Sequence, residues 1–278
     1  MSNKIYPCLW FNQNAHEAAK FYCSVFKDAK IIEENHFVSN WESQGQRFMC
    51  LNGGPEFKMN PSISFFTHFD SKEEIDEAWA KLSEGGMVMM PLDKYPWSER
   101  YGWVQDKYGA SWQLYTGDFA SVNQKFIPSF LFVGEQHGRA KEAIAHYTSI
   151  FPNSKVEGIL EYGPGEDVEG TVKHAQFILD GYVFMAMDSG MNHPFQFNEG
   201  ISLSILCDDQ SQVDHYWDRL TDGGQESQCG WLKDKFGVSW QVVPSMLVRL
   251  MNDPERFPRV VQAFMKMKKF DIAALENA

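Results

Sequence analysis

The chain has 278 residues, 44% hydrophobic and 15% aromatic, which suits about two domains with packed cores. Its formal net charge of −12 disfavours electrostatic binding to nucleic acid or an anionic membrane, and no run of about 18 apolar residues offers a transmembrane helix. Five cysteines (8, 23, 50, 207, 229) form no CxxC pair and the N-terminus has no apolar signal region, so reduced thiols in the cytoplasm are expected.

Residues 5–11 read as a short strand ended by Asn12, Gln13 and Asn14. Residues 15–26 have helical spacing, with Ala18, Tyr22, Val25 and Phe26 on one face. Residues 30–38 and 45–52 are rich in β-formers, and residues 62–69 form another strand. Ser71 opens a capping-box pattern before a helix over 72–84, and Gly85 stands where a C-cap glycine belongs. Strands follow near 87–91, 101–105 and 111–116, the last two joined by a turn at Asp106 to Gly109.

The second half repeats the first. GWVQDKYGASWQ at 102–113 returns as GWLKDKFGVSWQ at 230–241, with eight of twelve positions identical. Ile75, Trp79, Leu82 and Gly85-Gly86 match Val213, Trp217, Leu220 and Gly223-Gly224 at a constant offset of 138. An internal duplication follows. It divides the chain into domains at 1–120 and 125–244 and a helical tail at 245–278, with a break at Asp253-Pro254. Phe264, Met265, Met267 and Phe270 form an apolar cluster in the tail, which reads as a helical cap or contact element. His16, His137, His146 and His215 fall on predicted helices and read as surface positions.

Paired βαβββ units, F-Y near the first helix and D-x-x-G-x-x-W-Q on the last strand resemble the vicinal oxygen chelate superfamily of glyoxalase and bleomycin-resistance proteins. The stretches MPLDKYPWSERYGWVQDKYGASWQ and CGWLKDKFGVSWQVVP are similar to its PhnB-like branch, labelled "3-demethylubiquinone-9 3-methyltransferase". The resemblance implies an α+β fold: two tandem glyoxalase-like domains, each of two βαβββ modules with curved mixed sheets, and a helical tail. It also implies a divalent metal held by His and Glu on the first and last strands. Those positions fall at or beside Pro7 and Pro128, near Ser62 and Gly200, and on Gln113 and Gln241. Proline and glycine offer no ligand, and serine and glutamine are weak ones, so no metal and no cofactor is expected. No strand-GxGxxG-helix unit supports the methyltransferase label.

Strand parity sorts the rest. Ser111, Gln113 and Tyr115 oppose Trp112 and Leu114; Ser239 and Gln241 oppose Trp240. The tryptophans suit the helix-covered core. Candidate ligand-binding residues are therefore Ser111, Gln113, Ser239 and Gln241, with Ser62, Ser64 and His68 on one strand and His174 and Gln176 on another. Trp97 and Tyr101 join them in the first half alone, because Met87 to Tyr101 is longer than Gln225 to Cys229. Cys229 is a candidate thiol with no visible base. The expected function is metal-independent binding of a small molecule; an enzyme of the same superfamily with atypical ligands is the alternative. The duplicated chain is expected to form an intrachain pseudo-dimer, with further self-association left open.

Overall fold

Four βαβββ modules follow one another along the chain. The structure, a computed structural model, describes residues 4–116 and 124–278. The first module is β1 (Ile5–Phe11), α1 (Ala15–Val25), β2 (Lys30–Glu34), β3 (Val38–Ser43) and β4 (Gln46–Asn52). The second is β5 (Ile63–His68), α2 (Lys72–Ser83), β6 (Met87–Tyr95), β7 (Ser98–Gln105) and β8 (Ser111–Thr116). The third is β9 (Phe126–Phe132), α3 (Ala140–Ile150), β10 (Lys155–Glu161), β11 (Val172–Leu179) and β12 (Tyr182–Asp188). The fourth is β13 (Ile201–Cys207), α4 (Gln210–Thr221), β14 (Gln225–Glu226), β15 (Trp231–Lys233) and β16 (Ser239–Pro244). The tail holds α5 (Met246–Met251), α6 (Phe257–Phe264) and α7 (Ile272–Glu276).

The chain forms two compact units, one of Pro7–Ile201 and one of Lys4–Tyr6 with Ser202–Ala278. The repeat boundary and the unit boundary therefore fall in different places. In the first unit an eight-stranded mixed sheet runs in the order β10-β11-β12-β9-β5-β8-β7-β6. At its centre β5 and β9 pair antiparallel from Ile63↔Phe130 to Thr67↔Phe126, so a strand of one repeat lies directly beside a strand of the other. The same unit holds β2, β3, β4 and β1 from Pro7 onward, and the second unit holds β14, β15, β16 and β13 from Ser202 onward.

Local chemistry explains these elements. Ser71 Oγ accepts from Glu74 N–H at 3.2 Å and caps α2; Asp209 does the same for α4, accepting from Gln212 N–H at 2.9 Å. On α1, Ala15, Ala18, Ala19, Tyr22 and Val25 are buried, which is the 3.6-residue spacing of one helix face. Trp112 and Trp240 are both fully buried, as parity requires. Trp112 packs on Tyr22 and Phe26 at 5.3 and 5.2 Å.

The motif aspartates do more than turn the chain. Asp106 accepts from the N–H groups of Tyr108 and Ala110 and from Trp112 Nε1 at 2.8 Å and Tyr22 OH at 3.0 Å. Asp234 accepts from the N–H groups of Phe236 and Val238 and from Trp240 Nε1 at 2.8 Å. One buried carboxylate thus closes the turn and fixes the tryptophan that anchors the last strand. Burial pushes the Asp106 carboxyl up, against those hydrogen bonds.

Four local expectations need correction. The β-rich stretch 30–38 is not one strand: Asn35 Oδ1 accepts from the N–H groups of Phe37 and Val38, and this side-chain turn splits it into β2 and β3. The hairpin β6–β7 is longer than 87–91 and 101–105, because the extra residues pair with each other as far as Tyr95↔Ser98. His137 is not helical; it follows a short 3-10 turn, Gly134–Gln136. Met265 leaves the tail's apolar cluster and is 59% exposed, while Phe270 is buried against Gly230. The tail caps the fourth module: Gln210 Nε2 donates to the Phe270 carbonyl, Ile272 N–H donates to Gln210 Oε1, and Lys269 pairs with Asp214 and Asp218.

Candidate functional site

Cross-strand register builds a polar row on the eight-stranded sheet. Gly158, Gln176, Met185, Ser129 and Ser64 stand opposite one another from β10 to β5. The row continues through Phe66↔Gln113 and Gln113↔Trp103. Residues of the other parity face the helices, where Trp112 meets Tyr22 of α1 and Phe130 meets Tyr147 of α3. The row therefore lies on the sheet face turned away from the helices.

At the β5–β8 end this face is filled. Gln113 is 1% exposed. Its Nε2 donates to Ser64 Oγ at 2.7 Å, and its Oε1 accepts from Tyr101 OH at 2.5 Å. Trp103 Nε1 donates to Ser111 Oγ at 2.7 Å. Phe66, Tyr101, Tyr115, Ile127, Val183 and Met185 pack together around these groups. Burial pushes the Tyr101 and Tyr115 phenols up, so both are neutral. Ser129 Oγ is buried beside them with no hydrogen-bond partner among the described residues.

The open part of the face lies at the other end. A cleft of about 440 Å³ over β10 and β11 is lined by Glu157, Gly158, Ile159, Leu160, His174 and Gln176. All seven residues of β10 are exposed, and Ile159 and Leu160 present apolar area at 39% and 58% exposure. Gln176 Nε2 donates to Glu157 Oε2 at 3.1 Å. Hydrogen bonds from Lys155 and Gln176 hold the Glu157 carboxyl below its ordinary value. Burial pushes the His174 imidazole down, so it is neutral near pH 7.

The second unit repeats the serine–glutamine pair. Gln241 Nε2 donates to Ser202 Oγ at 2.9 Å. Ser204 and Ser239 carry buried hydroxyls without a partner among the described residues. Cys229, not tyrosine, stands at the repeat position of Tyr101. Its Sγ lies 3.7 Å from the Phe264 carbonyl and 3.8 Å from Met265 Sδ, and burial pushes the thiol up, which opposes reactivity.

The remaining candidates are more scattered. Ser62 sits just before β5, its N–H donating to Asn60 Oδ1 and its carbonyl accepting from Leu131 N–H. Ser64, two residues on, is the one that meets Gln113. His68 closes β5, with its ring 5.4 Å from Tyr115 and Nδ1 3.7 Å from Asp70. Trp97 is at the β6–β7 tip, 59% exposed, stacked on Tyr95 at 5.1 Å. Ser129, Met185 and Glu157 escaped the sequence reading. Ser129 was one parity step from Pro128; Met185 and Glu157 needed the register of β10 to β12.

The positions where the resemblance expects ligands carry Pro7, Pro128, Gln113 and Gln241, with Ser62 and Gly200 nearby, and the adjoining row adds Ser64, Ser129 and Met185: hydroxyls, amides and a thioether. This donor set does not fit a hard divalent ion. Among the described residues no three His, Cys, Asp or Glu side chains converge as metal ligands would.

Tandem βαβββ modules with this sheet topology define the chain as a protein of the vicinal oxygen chelate, or glyoxalase, fold. The family described as 3-demethylubiquinone-9 3-methyltransferase matches residues 3–115 and again 124–243, and the chain belongs to it. A PhnB protein from Bacillus cereus is 33% identical over 41% of this chain and 100% of its own, with a TM-score of 0.39. Glyoxalase I from Zea mays is 12% identical over 88% of this chain and 94% of its own, with a TM-score of 0.59. The protein PA1353 from Pseudomonas aeruginosa is 22% identical over 39% of this chain and 93% of its own, with a TM-score of 0.35. No curated protein matches the chain. No helix among the described residues is long and apolar enough to cross a membrane.

Proposed function

We propose that the protein binds an organic small molecule without a metal, using the cleft over β10 and β11. The observation that carries this reading is the cleft's makeup. Exposed Leu160 supplies an apolar floor, while neutral His174, Gln176 and ionised Glu157 supply a few directed polar groups. An apolar lining with sparse polar handles is the ordinary makeup of a small-molecule site. A ligand with an apolar body and a hydrogen-bond donor toward Glu157 fits best. The emptied metal positions support metal independence, and the matched residues support reading 1–120 and 125–244 as the duplicated domains with 245–278 as an appended tail.

Native mass spectrometry and elemental analysis of untagged protein test this reading together. The expected result is a co-purified organic mass that is lost in a Gln176→Ala, Leu160→Glu double variant, with far less than one metal ion per chain. Stoichiometric zinc, nickel, manganese or iron, with turnover that chelation removes, would replace the binding reading with the enzyme.

A further inference from the structure

A second cleft, of about 520 Å³, lies in the first unit and shares no residue with the cleft over β10 and β11. Aromatic Trp10, Phe57 and Tyr108 and cationic Lys58 and Lys107 line it, with Asn12 and Asn14 among its polar groups. We propose that this cleft is a binding site for a flat aromatic anion, that is, one or two fused rings bearing a carboxylate, sulfonate or phosphate.

Its aromatic walls are held in place. Trp10 Nε1 donates to the Gly54 carbonyl at 2.8 Å, and the Trp10 ring meets Phe57 edge-on at 5.0 Å. The indole also lies so close over Gly53 that a Cβ there would come within 2.2 Å of it. Tyr108 OH donates to Glu17 Oε1 at 2.7 Å, and its ring meets Phe11 at 6.1 Å and Phe21 at 5.5 Å. A planar guest therefore meets surfaces that need little ordering on binding, which is the economical way to gain affinity.

The electrostatics select the sign of the guest. Lys27, Lys30, Lys94, Lys141 and Lys173 all sit on carboxylates. Among the described residues neither Lys58 nor Lys107 has one; Lys107 Nζ rests over the rings of Phe21 and Tyr108 at 4.8 and 5.2 Å. Two cations without a carboxylate partner therefore border one cleft, in a chain of net charge −12. The acid in the lining, Asp106, is already engaged by four donors. Asn14 occupies the N-cap position of α1 without capping it, so its amide is available to a guest. The second repeat has Leu131 in place of Trp10 and Phe236 in place of Tyr108, so the site belongs to the first repeat.

Naphthalene-1-sulfonate is a direct probe, with neutral naphthalene-1-methanol as its control. Titration calorimetry is expected to show saturable binding of the sulfonate that weakens with added salt. A Lys58→Gln, Lys107→Gln double variant should lose about tenfold in affinity for the sulfonate and nothing for the alcohol. Trp10→Leu should weaken both, and a crystal soaked with the sulfonate should show it against Trp10 and Tyr108. Equal sulfonate affinity in the double lysine variant, no saturable binding below millimolar concentration, or the probe found over β10 and β11 would each overturn the proposal. The native mass spectrometry result for the other cleft is independent of all three.

Discussion

Gln113 Nε2 donates to Ser64 Oγ at 2.7 Å across the parallel pair β5 and β8, where the superfamily resemblance expects metal ligands. The glutamine's other end takes a hydrogen bond from Tyr101, so both ends of the amide are bonded to the protein. In the second unit Gln241 makes the same bond to Ser202. A neutral amide and a hydroxyl hold each other where a charged ligand set would need an ion.

That pair sets the first prediction. Gln113→Leu leaves Ser64 and Tyr101 with buried, unmatched hydroxyls and should destabilise the protein by about 1–3 kcal/mol. In a double-mutant cycle with Ser64→Ala the two changes should couple by about 1 kcal/mol. Urea unfolding of the four proteins measures it; strict additivity would show that the hydrogen bond contributes nothing.

Asp106 offers a second check. Asp106→Asn keeps the turn's shape but replaces one acceptor oxygen by a donor facing Trp112 Nε1 and Tyr22 OH. A loss of about 1–3 kcal/mol is expected, with a changed tryptophan emission spectrum. Asp93→Asn, on an exposed side chain, should change neither quantity.

The pH dependence follows from His174. Burial lowers its folded pKa below the ordinary 6.5. Between the folded value and 6.5 the unfolded chain binds more protons than the folded one. Stability is therefore full above 6.5 and falls as pH drops through that window. The slope from this one group is at most about 1.4 kcal/mol per pH unit. His174→Gln should flatten the unfolding midpoint between pH 6.5 and 5 relative to the parent; an unchanged slope would show that His174 titrates freely.

Two glycines separate packing from coincidence. Gly230 has φ +80°, and a Cβ there would lie 2.4 Å from the Phe270 ring and 2.7 Å from the Val242 carbonyl. Gly230→Ala should cost more than about 1 kcal/mol and expose the tail from Phe270 onward to proteolysis. Gly158 has no atom within 4 Å of its Cβ position, and Gly158→Ala should change stability by less than about 0.5 kcal/mol. Equal effects at both positions would contradict the packing described.

The amino-acid sequence by itself determined the duplication, the βαβββ order, the buried tryptophans and the face shared by Gln113 and Ser111. Repeats, helix period and strand alternation are local patterns, written in neighbouring residues. It also placed His174 and Gln176 on one strand face. It could not place Glu157 opposite them, because β10 meets β11 through two irregularities of register that no period announces. Nor could it show that Tyr101 and Phe66 fill the space around Gln113 while the β10 end stays open. That difference was decided only by tertiary structure: volume is set by side chains from five strands meeting in space, and strand pairing across the repeats, β5 against β9, brings them together.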